Sequence, residues 1–301
     1  MGSISQSPPK TLVIGARGFL GSAFYHAYRA HHPTSLGTHH SNIDSLKTLN
    51  LISPNLEKLV KSDEYLYGVI SAGVSNILRC EKEPELTYQC NVKGTLQLVE
   101  QLCQMRITPI LFSTDYVFDG KMGSYHEESL VNPLNQYGKQ KAELEHSLAH
   151  HFAGKYLLIR LSKVYGVQRG DKTIIDEMAC LLMNQRRVRA AFDQIFSPVF
   201  VDDVVSAVIK LQLKEARGVY HVSGGQTISR LELAKTVCKA LGAVEELVEP
   251  ISLSDLSEPF LRPQRTDMIN QKVCGATGIQ MTNLNTAVQS IVTQYSKENR
   301  R

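Results

Sequence analysis

Tyr137 and Lys141 stand four residues apart in the run Asn132-Pro133-Leu134-Asn135-Gln136-Tyr137-Gly138-Lys139-Gln140-Lys141, so on a helix both side chains leave one face toward a common ligand. A phenol ordinarily releases its proton only near pH 10, and a neighbouring ammonium lowers that value by favouring the phenolate. The pair suits proton transfer at an oxygen, with Tyr137 as acid or base and Lys141 as the tuning charge. Lys139 points elsewhere on the helix. Upstream, Phe112-Ser113-Thr114-Asp115-Tyr116-Val117-Phe118-Asp119-Gly120 follows an apolar strand. Ser113, Thr114 and Asp115 therefore fall at the carboxyl edge of a sheet, where open α/β folds hold ligands. Thr114 is the hydroxyl expected to hydrogen-bond a substrate carbonyl, Asp115 a substrate or positioning contact, and Ser113 an understudy to Thr114.

A second constellation lies near the start of the chain. Val13-Ile14-Gly15-Ala16-Arg17-Gly18-Phe19-Leu20-Gly21 ends a strand and opens a helix, the setting that lets backbone amides and a helix N-terminus receive a pyrophosphate. Gly15 is read as the tight turn, Gly18 as the point of close backbone approach, and Gly21 as the contact between helix and strand. Phe19 and Leu20 complete the cofactor-facing loop. A sheet selective for NAD carries an acid near the end of its second strand, but Leu36-Gly37-Thr38-His39-His40-Ser41-Asn42 has none. Arg17 inside the loop could meet a 2′-phosphate bidentately, with His39 beside it, so NADP(H) is the expected cofactor and Lys141 a holder of its nicotinamide ribose.

The elements that must position these groups alternate short β-branched runs with longer amphipathic segments, which argues for βαβ units and a parallel sheet covered on both faces. Strands are expected at 11–15, 35–39, 67–71, 108–112 and 156–161, and helices at 20–31, 53–62, 85–105 and 136–151. The fold class is α/β: a Rossmann-type doubly wound parallel sheet with a smaller, interleaved C-terminal substrate subdomain. Residues 1–10 read as a disordered leader, 11–166 with 195–222 as the dinucleotide-binding domain, and 167–194 with 223–301 as the substrate subdomain.

At 301 residues and 43% hydrophobic composition the chain can bury a full core. Its formal charge of +4 is spread along the length without a basic, aromatic-laced block, so nucleic acid is not an expected partner. The N-terminus has no apolar run of signal type, no later run is long enough to span a membrane, and Gln6 breaks a myristoylation pattern at Gly2; a cytoplasmic protein is expected. Six cysteines without CxxC or zinc spacing read as reduced, packed thiols, and no metal site is expected.

Taken in order, the glycine loop, Ser113-Thr114-Asp115-Tyr116-Val117-Phe118-Asp119-Gly120, the Asn132 to Lys141 run and Arg160-Leu161-Ser162-Lys163-Val164-Tyr165-Gly166 resemble the dTDP-4-dehydrorhamnose reductase family of the extended short-chain dehydrogenases. The likeness runs from about residue 11 to about 285 and includes Ser71-Ala72-Gly73, Glu83-Pro84, Asn91, Gly218-Val219-Tyr220-His221-Val222-Ser223-Gly224 and Arg262-Pro263. It implies that Thr114, Tyr137 and Lys141 form a catalytic triad, and that Ala72 and Gly73 join the cofactor site. It also implies that NADPH delivers hydride to the C4 ketone of a nucleotide-linked 4-keto-6-deoxyhexose while Tyr137 gives the proton. By the same resemblance Asp193, Gln194 and Arg262 face the nucleotide or its pyrophosphate.

Two departures bear on the substrate. Rhamnose-forming members carry a tryptophan that touches the sugar in the Arg-x-Ser-x-x-Tyr-Gly segment, whereas this chain has Lys163 there and no tryptophan at all. Leu78 stands where the family often has Asp, although Arg79 keeps a basic group. Dehydration is disfavoured because Tyr116 occupies the position of the acid that dehydratases need, and epimerases typically lack the Asp-Tyr-Val-Phe run. The rival reading comes from another class: the chain also resembles the β subunit of methionine adenosyltransferase, an NADP-binding regulatory subunit that keeps the Tyr and Lys but has Ser at the place of Thr114. The first reading leaves a homodimer open, and the second implies a partner enzyme.

Overall fold

The computed structural model describes residues 7–41, 46–61 and 64–298. Seven strands form one all-parallel sheet in the spatial order Gly218–Val222, Leu157–Leu161, Thr108–Thr114, Tyr67–Ile70, Thr11–Ile14, Gly37–His39 and Lys47–Thr48. The central strands TLVI, YGVI and LLIRL are buried along their whole length, as a sheet covered on both faces requires. The chain starts at Thr11–Ile14, moves outward to Lys47–Thr48 and then crosses to the other side at Tyr67–Ile70. That reversal opens a crevice at the carboxyl ends of the two central strands.

One face of the sheet is covered by the helices Phe19–His31, Val201–Leu213 and Gln271–Thr277, with Phe24, Tyr28, Val204, Val208 and Val273 in the core. The other is covered by Thr95–Gln104 and Gln136–His151, with Leu98, Leu102, Leu144 and Leu148. A separate core joins Ile174–Met183, Arg230–Leu241 and Leu284–Glu298 around a parallel pair, Val188–Ala191 with Val248–Ile251. Two short ribbons stitch the units together: Val164–Tyr165 pairs with Val199–Phe200, and Ile195–Phe196 with Ile228–Ser229.

Several expectations need correction. Residues 53–61 form turns, not a helix, because the Gln101 side chain claims the local backbone: its Oε1 accepts from Leu56 N at 2.7 Å and its Nε2 donates to Pro54 O at 2.8 Å. Ser62 lies outside the described residues, as does Asn42. The expected single helix over 85–105 is Pro84–Tyr88, a π-helical stretch Gln89–Gly94 and Thr95–Gln104. The extra residue in that turn brings Gly94 against the Leu51 carbonyl, where a Cβ would sit 1.7 Å from the oxygen. The inner end of the expected leader is built into the fold: Pro8 is buried, its carbonyl bonds to His32 Nε2 at 2.6 Å, and residues 1–6, with Gly2 and Gln6, lie outside the described residues. Helix Gln271–Thr277 packs on the main sheet, not in the smaller unit, because Val273, Cys274 and Ile279 face Val201–Leu213 and Gly218–Val222. All six cysteines are free, and Cys180 alone among them is exposed. Among the described residues no helix is long and apolar enough to cross a membrane.

Candidate active site

A cleft of about 470 Å³ opens at the carboxyl ends of the central strands, between the main sheet and the smaller unit. Its cofactor-side wall begins with the glycine loop. Gly15 has φ +89°, and a Cβ there would meet Ala72 N at 2.6 Å; at Gly21 a Cβ would lie 2.1 Å from the Gly15 carbonyl. Both glycines are therefore demanded by packing of the loop on itself and on residue 72. Gly18 is exposed, with no atom nearer than 3.6 Å to its hypothetical Cβ, and it caps the helix Phe19–His31. Gly18, Phe19, Leu20 and Gly21 line the cleft, as do Ala72 and Gly73 opposite. Gly15, Arg17 and His39 do not. Gly15 shapes the turn beneath, Arg17 is exposed on the loop, and His39 bonds to Ser41 with its ring tilted against His40, centroids 4.1 Å apart.

The loop after Tyr67–Ile70 is held by one buried side chain. Asn91, within the π-helical turn, accepts from Val74 N at 2.7 Å and donates both to Val74 O at 2.9 Å and to Gln140 Oε1 at 2.8 Å. Gln140 belongs to helix Gln136–His151, so Asn91 couples the cofactor-side loop to the helix carrying Tyr137 and Lys141. That helix starts where the sequence places it because Asn135 caps it, its Oδ1 accepting from Gly138 N at 2.9 Å.

Thr114, Tyr137 and Lys141 all face the cleft. Lys141 Nζ donates to Phe112 O at 3.0 Å, which anchors the ammonium to the end of strand Thr108–Thr114. Burial pulls the Lys141 ammonium below the usual lysine range. The Tyr137 phenol is pushed up, first by burial and then by the Asp115 carboxyl, whereas spacing alone suggested that Lys141 would lower it. Burial and the nearby Asp115 carboxyl therefore leave Tyr137 a phenol with its proton in place. Thr114 Oγ1 donates to Asp115 Oδ1 at 3.0 Å and accepts from Tyr116 N at 3.2 Å. Asp115 Oδ2 accepts from Thr266 Oγ1 at 2.7 Å, and burial pushes the Asp115 carboxyl up to about 6. Ser113 and Ser162 line the cleft, and their Oγ atoms are buried with no hydrogen-bond partner.

At the other end, Lys163, Gln194, Arg230 and Arg262 line the cleft. Arg262 is held bidentately by Glu258, Nε to Oε2 at 2.5 Å and Nη2 to Oε1 at 2.6 Å, and its Nη1 donates to Tyr116 Oη at 3.3 Å. Gln194 Nε2 reaches the same phenol at 3.4 Å. Asp193, expected to face the substrate, does not line the cleft. Its Oδ1 accepts from Leu253 N at 2.8 Å and its Oδ2 from Ser252 Oγ at 2.7 Å, so it closes the turn at Leu253–Asp255. Sequence reasoning missed Ser162, Arg230 and Thr266. The Ser229/Glu232 capping box announced the helix that starts at Arg230. Only the docking of the two units turns that arginine, and Thr266 from a distant loop, into the cleft.

Comparison with known proteins bears on the family and the fold. The family model described as RmlD substrate binding domain matches residues 9–297. A Haloferax volcanii protein named as a probable low-salt glycan biosynthesis reductase, Agl14, is 27% identical over 297 residues, covering 94% of this chain and 97% of its own. Methionine adenosyltransferase 2 subunit beta of Xenopus tropicalis is 28% identical over 259 residues, 81% of this chain and 75% of its own. The structure of dTDP-4-dehydrorhamnose reductase from Bacillus anthracis str. Ames in complex with NADP superposes with a TM-score of 0.83 at 22% identity, over 95% of this chain and 99% of that one.

Proposed function

The chain belongs to the RmlD substrate-binding-domain family, and from that membership we propose that it is an NADPH-dependent reductase of a nucleotide-linked 4-ketosugar, with Tyr137 as proton donor. The 4-keto-6-deoxyhexoses are the class the family resemblance names. The carrying observation is the convergence of Thr114, Tyr137 and Lys141 on one cleft, beside the wall formed by Gly18 to Gly21, Ala72 and Gly73.

The residues present fit a dinucleotide. Gly18 leaves its Cβ direction open at the N-terminus of helix Phe19–His31, and Phe19, Leu20, Gly21, Ala72 and Gly73 line the cleft beside it. NADPH, when bound, supplies the hydride. The chain's own residues do the rest. Lys141, tied to Phe112 O, stands one turn from Tyr137 and offers its remaining protons to a ribose. Tyr137, its phenol kept protonated by burial, delivers that proton to the oxygen that gains charge at C4. Thr114 orients the ketone, and for this its hydroxyl proton must turn from Asp115 toward the substrate. Protonation of Asp115 allows that turn, since the carboxyl can then donate to Thr114 in exchange.

The test is NADPH consumption on a panel of nucleotide-linked 4-ketosugars with wild type and Tyr137→Phe. The expected result is wild-type turnover that falls by about 10²-fold or more in the variant. Tight NADPH binding without turnover on any sugar supports the second reading, a regulatory subunit acting on a partner enzyme. Lys163 in place of the sugar-facing tryptophan, together with the likeness to the β subunits, favours that alternative.

A further inference from the structure

Three cations face the substrate half of the cleft, and they differ in what holds them. Arg262 has a bidentate carboxylate partner in Glu258. Among the described residues, neither Lys163 nor Arg230 lies within ion-pairing distance of any carboxylate. Asp115, whose oxygens accept from Thr114 and Thr266, attracts Lys163 without forming a direct ion pair with it. Burial, reinforced by Arg230 and Arg262 and resisted by Asp115 and Glu177, lowers the Lys163 ammonium below the usual lysine range. A cation set against another cation in a partly desolvated cleft is costly unless an anion arrives between them.

The fold fixes where that anion would sit. Leu161 is in register with Thr114 in the parallel sheet, so Lys163, two residues on, emerges next to the strand end that carries the reacting hydroxyl. The Lys163 ammonium draws the Asp115 carboxyl down, consistent with its place beside the strand end that carries Thr114 and Asp115. Arg230 opens its helix behind the Ser229 capping box and projects from the smaller unit toward the same space.

We infer that Lys163, backed by Arg230, is a seat for an acidic substituent on the sugar itself, so that the substrate is a nucleotide-linked sugar carrying a carboxylate or equivalent anion besides its diphosphate. The inference rests on the sugar-nucleotide reading above and revises only what the sugar carries near its reacting carbon. An aromatic residue at position 163 would stack on an apolar sugar edge; an ammonium there selects charge.

The test is calorimetric titration of the NADP⁺-loaded protein at about 0.15 M salt, where surface attraction is screened, with UDP-glucose and UDP-glucuronic acid, which differ only in a hydroxymethyl against a carboxylate. A charge-assisted contact predicts that the glucuronate binds about tenfold tighter or better. Lys163→Met collapses that ratio to near one, and Lys163→Arg retains most of it; NADP⁺ affinity and the melting temperature of each variant report that the cleft is still folded. Equal binding of the two sugars by wild type overturns the inference while leaving the sugar-nucleotide reading in place. An equal loss of both sugars in Lys163→Met also overturns it, because Lys163 would then serve the diphosphate. Failure of wild type to bind either sugar overturns the inference, while turnover on the panel of nucleotide-linked 4-ketosugars decides the sugar-nucleotide reading separately.

Discussion

Beneath Thr114 and Thr266, the Asp115 carboxyl shows how burial and hydrogen bonding compete at a single group. The two threonine hydroxyls favour the carboxylate, but desolvation wins and the group ionises only at about 6. The unfolded chain ionises the same group near pH 4. Because the folded value is raised, the native state binds the proton more tightly than the unfolded state does. Below about pH 4 both states are protonated and Asp115 costs nothing; as pH climbs to about 6 the unfolded state gains, and above that the penalty is complete. Asp115→Asn keeps a group that both threonines can bond and removes the ionisation. The variant should therefore gain about 2–3 kcal/mol on wild type between pH 4 and pH 8 in urea unfolding. A difference that does not change with pH would show that Asp115 ionises normally.

Asn91 does for a loop and a helix what caps do for helix ends. The π-helical turn at Gln89–Gly94 rotates this buried side chain inward, and its amide then meets Val74 N and Val74 O in a half-buried setting and Gln140 Oε1 in a buried one. Asn91→Ala leaves those groups unsatisfied, at a cost of about 1–3 kcal/mol each for the ones water cannot reach. The variant should lose about 2–4 kcal/mol in denaturant unfolding and bind NADPH at least several-fold more weakly, because the Gly73–Val74 segment loses its tether. Unchanged NADPH affinity beside lowered stability would make Asn91 a residue of the core only.

At the scale of the whole molecule, Arg160 ties the main sheet to the helix Gln136–His151. From strand Leu157–Leu161 it grips Glu145 of helix Gln136–His151, Nη2 to Oε2 at 2.7 Å and Nε to Oε1 at 3.1 Å, and its Nη1 reaches Glu127 O at 2.9 Å and His221 Nε2 at 3.2 Å. His221 then donates from Nδ1 to Tyr125 O at 3.2 Å, and burial with Arg160 beside it pulls the imidazole down to about 3, so it stays neutral. This network ties the Tyr137/Lys141 helix, two strands and the loop before that helix into one body. Arg160→Met strands the Glu145 carboxylate in the core and should cost about 3–5 kcal/mol, whereas the double variant Arg160→Met/Glu145→Met should recover much of that loss. Equilibrium unfolding of the wild type, both single variants and the double variant measures the coupling; additive losses would mean the pair acts as two independent contacts.

The boundary between what the sequence determined and what only folding decided follows the range of the interactions. Alternating apolar runs, the Gly15-x-x-Gly18-x-x-Gly21 spacing and the Asn135 cap are local, so the parallel sheet, the loop before helix Phe19–His31 and the start of the Tyr137/Lys141 helix could all be read from residue order. Features set by partners far along the chain could not. Gln101 unmade a helix at 53–61 that Ser53 and Pro54 seemed to announce, and the Leu51 carbonyl sits where a continuous helix through Gly94 would need room. Asp193 looked like a substrate contact until Ser252 and Leu253 claimed its oxygens. Residue order gave Tyr137 an ammonium neighbour, but the enclosing fold decided that burial would set its proton. It likewise took the docking of two separately built cores to bring Thr266 onto Asp115 and Arg230 toward Lys163, since neither pairing has any trace in sequence spacing.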